Sequence, residues 1–154
     1  MAINFKVNGK DYSVDREIED TSLLLYLRNT LRLTSVKNGC NEGHCGTCTV
    51  IINGKAKKSC LVKLKTLAGA EIETLEALSS REAIYPVIYA YVIEGAVQCG
   101  FCTPGFIMAT KALLQNNPSP SPEEVKKALS GNLCRCTGYV KILKAVERAA
   151  DLLR

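Results

Sequence analysis

Eight cysteines divide into two sets of four, and each set sits in a stretch that ordinary core packing does not require. The first set reads C-x4-C-x2-C over Cys40, Cys45 and Cys48, with Cys60 following at a distance. This is the plant-type spacing for a 2Fe–2S cluster. The residues between the thiols suit that use. "NGCNEGHCGTC" supplies Gly39, Gly43 and Gly46, so the backbone can wrap closely and turn N–H groups toward the sulfurs. A zinc site would typically pair its C-x2-C with a second short-spaced pair, which Cys40 and Cys60 do not form. A Rieske centre replaces two cysteines with two histidines, and His44 is the one histidine here. His44 is expected to face solvent beside the site.

The second set is Cys99 and Cys102 in "VQCGFCTPG", then Cys134 and Cys136 in "NLCRCTGY". Two cysteines separated by a single arginine do not readily form a disulfide, which needs converging Cβ vectors. They are also closer than the usual paired ligands of zinc. Each is expected to serve a site completed by other parts of the chain. Both motifs lie between predicted helices, and two interhelical loops at one end of a bundle can bring four thiolates together. Spacing alone leaves this second site open between zinc and iron.

The opening "MAINFKVNGKDYSV" alternates like a strand and has neither a basic n-region nor a long apolar run, so no secretory signal is expected. A cytoplasmic location follows, and with it free thiols rather than four disulfides. No apolar run reaches eighteen residues, so no membrane span is expected.

The 154 residues suit one domain or two small ones. The first half predicts short strands. "INFKVNGKDYSV" and "TVIINGKAKKSC" each carry a hairpin signal, Asn8-Gly9 and Asn53-Gly54. A last strand is expected near "AEIETL". Between the hairpins "DTSLLLYLRNTL" predicts a helix capped by Asp20 or Thr21, with Leu23, Leu24, Leu27 and Leu31 on one face. The second half predicts helices over roughly 85–95, 104–116, 122–130 and 139–153. Pro86, Pro104 and Pro122 suit first helical positions, Thr103 and Ser121 suit N-caps, and Ser121 with Glu124 makes a capping box. Gly95 and Gly131 suit helix C-termini. Tyr139, Leu143, Val146, Ala150 and Leu153 predict the apolar face of the last helix. The domain boundary is expected within 76–84, giving domains 1–78 and 79–154. The expected class is α+β.

Taken in order, "GCNEGHCGTCTV", "VQCGFCTPGFIM" and "GNLCRCTGY" resemble the iron–sulfur subunit of the molybdenum hydroxylases, the family of xanthine dehydrogenases, aldehyde oxidoreductases and nicotinate dehydrogenases. The resemblance covers nearly the whole chain. It implies a ferredoxin-like β-grasp domain followed by a four-helix bundle, each with one 2Fe–2S cluster. It implies that the chain relays electrons and does no substrate chemistry itself. A large partner subunit would carry a molybdenum–pterin cofactor and a medium one FAD, in a complex that dimerises. Residue by residue, Cys40, Cys45, Cys48 and Cys60 would hold the cluster nearer FAD. Cys99, Cys102, Cys134 and Cys136 would hold the cluster nearer molybdenum. Gln98 matches a glutamine that hydrogen-bonds the pterin, and Cys136 the cysteine lying closest to it. Two departures stand out. Asn41 replaces a common glycine and still tolerates a left-handed conformation. Thr47 replaces a common alanine, and either change can shift a potential.

The formal charge is +5, but the basic residues are scattered over turns and outer helix faces. Each oxidised cluster with four thiolates carries roughly −2, so two clusters bring the total to about +1. No nucleic-acid partner is expected.

Overall fold

The computed structural model describes residues 2–79 and 85–154. Two hairpins frame the first half. β1 (Ile3–Val7) and β2 (Lys10–Val14) turn at Asn8-Gly9, with φ of 51° and 79°. β3 (Thr49–Ile52) and β4 (Lys55–Lys58) turn at Asn53-Gly54, with φ of 49° and 78°. Two successive left-handed residues match the twist of the flanking strands, which is why the Asn-Gly signals translate directly. β5 (Glu71–Glu73) then joins the hairpins. It runs parallel to β1 and antiparallel to β3, giving the order β2-β1-β5-β3-β4.

The helix that covers this sheet is shorter than the periodicity predicts. α1 spans Leu23–Leu25 and runs on as a π-turn over Tyr26–Thr30. Its cap is Ser22, whose hydroxyl accepts from Leu25 N–H at 3.3 Å, and not Asp20 or Thr21. Of the expected caps, the Asp20 carboxylate pairs with Lys65 at 2.6 Å instead, and Thr21 lies one residue before the cap. The leucine face is as expected. Leu23, Leu24 and Leu27 are fully buried beside Phe5, Val50 and Ile72, and Leu31 packs at the edge.

Four helices follow: α2 (Pro86–Ile93), α3 (Thr103–Asn116), α4 (Pro122–Leu129) and α5 (Val140–Leu153). The Ser121–Glu124 capping box is present. Thr103 is not an N-cap but the first helical residue, behind Cys102. Gly95 is left-handed, as a C-terminal glycine should be, whereas Gly131 is not. The buried face of α5 is Ile142, Ala145, Val146, Ala149 and Ala150, which keeps Val146 and Ala150 of the predicted stripe and replaces the rest. Leu143 is half-buried and Leu153 exposed, because α2 lies against a face of small residues that admits close approach.

The fold is thus α+β, a five-stranded sheet with five α-helical elements among the described residues. Ile51 of β3 belongs to the helical core, which continues into the sheet. Lys111 of α3, nearly buried, pairs with Glu73 of β5. The expected boundary begins in a tight turn over Leu75–Leu78, and its residues 80–84 lie outside the described ones. Among the described residues no helix is long and apolar enough to cross a membrane.

Candidate metal centres

All eight cysteines are free, four in the N-terminal half and four in the helical half. The N-terminal quartet is built on the loop that leads into β3. Three backbone N–H groups, of Glu42, His44 and Cys45, point at Cys40 Sγ from 3.4, 3.3 and 3.3 Å. Asn41 makes this wrap possible by taking the left-handed conformation, φ 57°. The N–H groups, that of Cys45 foremost, pull the Cys40 thiol down to about 6. Cys48 and Cys60 form the inner pair. Burial first, then a hydrogen bond with Cys48, push Cys60 up to about 11. His44 and Glu42 stand at the surface, each with a side chain 75% exposed.

The second quartet is assembled from two loops. "VQCGFC" runs between α2 and α3, and "NLCRCTGY" between α4 and α5. Burial, then a hydrogen bond with Cys134, push Cys102 up to about 12. Cys134 itself is lowered: burial opposes ionisation, but the Thr137 hydroxyl and N–H outweigh it. Cys136 is raised, chiefly by a hydrogen bond with Cys99. Tyr139 closes the loop with its own φ at 71°, and its hydroxyl accepts from Cys134 N–H at 3.0 Å. Cys99 and Cys136 are exposed, as is Gln98 beside them.

The thiols that most affect one another's ionisation are Cys40 with Cys45, Cys48 with Cys60, Cys99 with Cys136 and Cys102 with Cys134. Among the described residues no three such side chains converge on the position of a single metal ion. Thiols interacting in pairs would suit a binuclear cluster, which these cysteines would hold and which would supply one-electron transfer. Thiols packed this way oppose one another's ionisation, and cations between them reverse that logic.

The two centres are joined by main chain. The Leu133 N–H donates to the Cys45 carbonyl at 2.9 Å, and Leu133 immediately precedes Cys134. Asn132, 6% exposed, donates from Nδ2 to the Gly46 carbonyl at 3.1 Å. Gly46 has φ +73° and faces the Gly131 carbonyl so closely that a Cβ could not be accommodated. Sequence reasoning did not single out Asn132. Its signal was a buried-type position in a cysteine motif filled by an amide, which becomes informative only once the partner backbone is known.

Comparison with known proteins agrees with the two-centre layout. Residues 5–78 match the family described as 2Fe-2S iron-sulfur cluster binding domain, and residues 74–147 match the 2Fe-2S binding domain. Together they define a chain of two 2Fe–2S-binding domains. It is 50% identical over 152 residues to a nicotinate dehydrogenase subunit of Pseudomonas putida, covering 99% of this chain and 96% of that one. It is 45% identical over 151 residues to the nicotinate dehydrogenase small FeS subunit of Eubacterium barkeri, covering 98% and 96%. It superposes on the aldehyde oxidoreductase of Desulfovibrio gigas with a TM-score of 0.93 at 40% identity, over 99% of this chain and 17% of that one. The chain belongs to the iron–sulfur small subunits of the molybdenum hydroxylases.

Proposed function

We propose that this chain relays electrons from a molybdenum–pterin site in a large partner subunit to FAD, or another acceptor, on a second partner. The observation that carries this is the pair of thiol quartets joined through Cys45 and Leu133. One-electron transfer is what two 2Fe–2S clusters supply when bound. Cys40, Cys45, Cys48 and Cys60 hold one cluster in a ferredoxin-like β-grasp domain, residues 1–78. Cys99, Cys102, Cys134 and Cys136 hold the other in a four-helix bundle, residues 79–154. The pairwise interaction of the thiols supports both ligand sets.

The helical site faces the molybdenum subunit. Exposed Cys99 and Cys136 support this, as does the apolar rim of Val97, Phe101, Leu133 and Tyr139, between 38% and 52% exposed. Apolar patches of this kind mark interaction surfaces. Electrons enter there and leave at the N-terminal site. The substrate class is an N-heteroaromatic ring such as a pyridine carboxylate, supported by two relatives named nicotinate dehydrogenase that match nearly end to end. Eight free thiols suit a reducing cytoplasm, and the assembled complex dimerises.

Gln98 is exposed one residue before Cys99, and its amide can donate and accept a hydrogen bond across the interface to the pterin. A Gln98→Ala substitution leaves every thiol in place. Both clusters should assemble, while stopped-flow reduction of the helical site by substrate slows about tenfold, the effect of ~1.4 kcal/mol. Unchanged kinetics in a fully assembled mutant would remove Gln98 from the electron entry face.

A further inference from the structure

Each half sets one threonine hydroxyl against one thiol of its quartet, and those two thiols lie at the ends of the bridge between the halves. Thr47 is 5% exposed, and its Oγ1 lies 3.2 Å from Cys45 Sγ. The same hydroxyl reaches the Lys37 carbonyl at 3.3 Å. Gly39 makes room for the pair, since a Cβ there would stand 2.8 Å from both Cys45 Sγ and Thr47 Oγ1. In the helical half Thr137 Oγ1 donates to Cys134 Sγ at 3.0 Å, and Thr137 N–H does so at 3.4 Å. The Tyr139 N–H donates to Thr137 Oγ1 at 3.3 Å, which occupies a lone pair and leaves the hydroxyl proton to the sulfur. Cys45 and Cys134 are also the two residues linked through Leu133.

Beside a free thiol a hydroxyl can donate or accept. Beside a metal-bound thiolate it can only donate, because that sulfur carries no proton. Reduction adds one electron to a cluster, breaks no bond and moves no proton. It raises the negative charge shared by the sulfurs, and a donor stabilises the more negative state more strongly. Hydrogen bonds to the sulfurs are one of the levers on the potential of such a cluster. Resting on the ligand sets proposed above, we propose that Thr47 and Thr137 set the potentials at the two ends of the Cys45–Leu133–Cys134 bridge, each raising that of its own cluster. The Thr47 proton is divided between Cys45 Sγ and the Lys37 carbonyl, whereas that of Thr137 is committed to Cys134. Thr137 therefore exerts the larger effect.

The test is a dithionite redox titration of the assembled enzyme, followed by electron paramagnetic resonance of each cluster signal. Thr47→Val should lower the midpoint of the N-terminal signal alone. Thr137→Val should lower that of the helical signal alone, and by more. The shift should reach up to about tenfold in the one-electron equilibrium, or about 59 mV. Thr→Ser at either position, which keeps the hydroxyl, should restore most of it. Midpoints that stay put in the valine variants, or serine behaving like valine, overturn the proposal. Should a valine variant fail to assemble, alanine at that position, which needs less room than threonine, carries the same expectation and the same overturning result. Wild-type enzyme lacking two 2Fe–2S signals would overturn the ligand sets as well.

Discussion

The N-terminal quartet takes three of its thiols from one loop, whereas the helical quartet takes two from each of two loops. That difference governs exposure. Cys48 and Cys60 are buried inside their domain, while Cys99 and Cys136 remain exposed. A site built mostly on one loop, and closed by Cys60 after β4, can enclose its inner thiols without a partner. A site assembled at the end of a set of helices keeps an open side, and that side is where a partner can approach. The two centres differ in their supports as well. Backbone N–H groups surround Cys40, while the threonine and tyrosine of "CRCTGY" brace Cys134.

The sharpest way to break this comparison is to remove one centre and ask whether the other survives. Cys48→Ala should eliminate the N-terminal cluster, lowering about four irons and four sulfides per chain to about two of each. The helical signal should persist in electron paramagnetic resonance of the reduced mutant. Loss of both signals from a chain that is still folded would mean that the centres are not separate.

A second substitution acts on the seam between the halves. Gly46→Ala places a Cβ against the Gly131 carbonyl at a position with φ +73°. Strain and overpacking together should cost about 2–4 kcal/mol. Thermal unfolding, followed by the bleaching of each cluster, should separate into two transitions where the wild type has one. A single unshifted transition would show that the halves are not coupled through Gly46.

The smallest effect concerns the entry to the N-terminal loop. Glu76 accepts from Ser35 N–H at 3.0 Å and from the Thr74 hydroxyl at 2.7 Å, pinning the segment that leads to Cys40. Burial raises the Glu76 carboxyl, but the Ser35 and Thr74 hydroxyls outweigh it, and the group sits below the usual carboxylate range. A depressed carboxyl stabilises the folded state above its unfolded value and loses that contribution as pH falls through its folded value. Glu76→Gln should therefore cost about 0.5 kcal/mol at neutral pH, since the carboxylate is exposed and screened by solvent, and progressively less in acid. Denaturant unfolding at several pH values checks this, and a cost that grows in acid would contradict the sign.

The contrast between the two sites also explains what the sequence could disclose. The wrap of the first cysteine loop was legible because it is local: glycines allow the backbone N–H groups of Glu42, His44 and Cys45 to close on Cys40, and Asn41 is a residue type that tolerates the left-handed turn it makes. The hairpins were legible for the same reason, since Asn-Gly turns fix their own geometry. The second quartet was half legible. Spacing did not separate zinc from iron, because the pairing of Cys99 with Cys136 and of Cys102 with Cys134 exists only after α2 to α5 have packed. The position of β5 in the sheet, Ala145 and Ala149 on the buried face of α5, and the Lys111–Glu73 pair were missed because each depends on a distant partner, whereas the Ser22 cap is local and was missed because Asp20, Thr21 and Ser22 all offer capping side chains. Asn132 and the Leu133–Cys45 bond belong to the same class, and they are what bring the two centres into register.

The central claim is that electrons enter at the helical centre and pass to the N-terminal one. Freeze-quench electron paramagnetic resonance of the assembled enzyme, mixed with its own substrate, tests it directly, with the signals assigned through Cys48→Ala. The helical signal should rise first and the N-terminal signal should follow as the first decays or levels off. In Cys48→Ala, the helical signal should rise and persist, because its onward path is gone. An N-terminal signal that appears first, or a helical signal that stays silent while the N-terminal one is reduced, would contradict the relay.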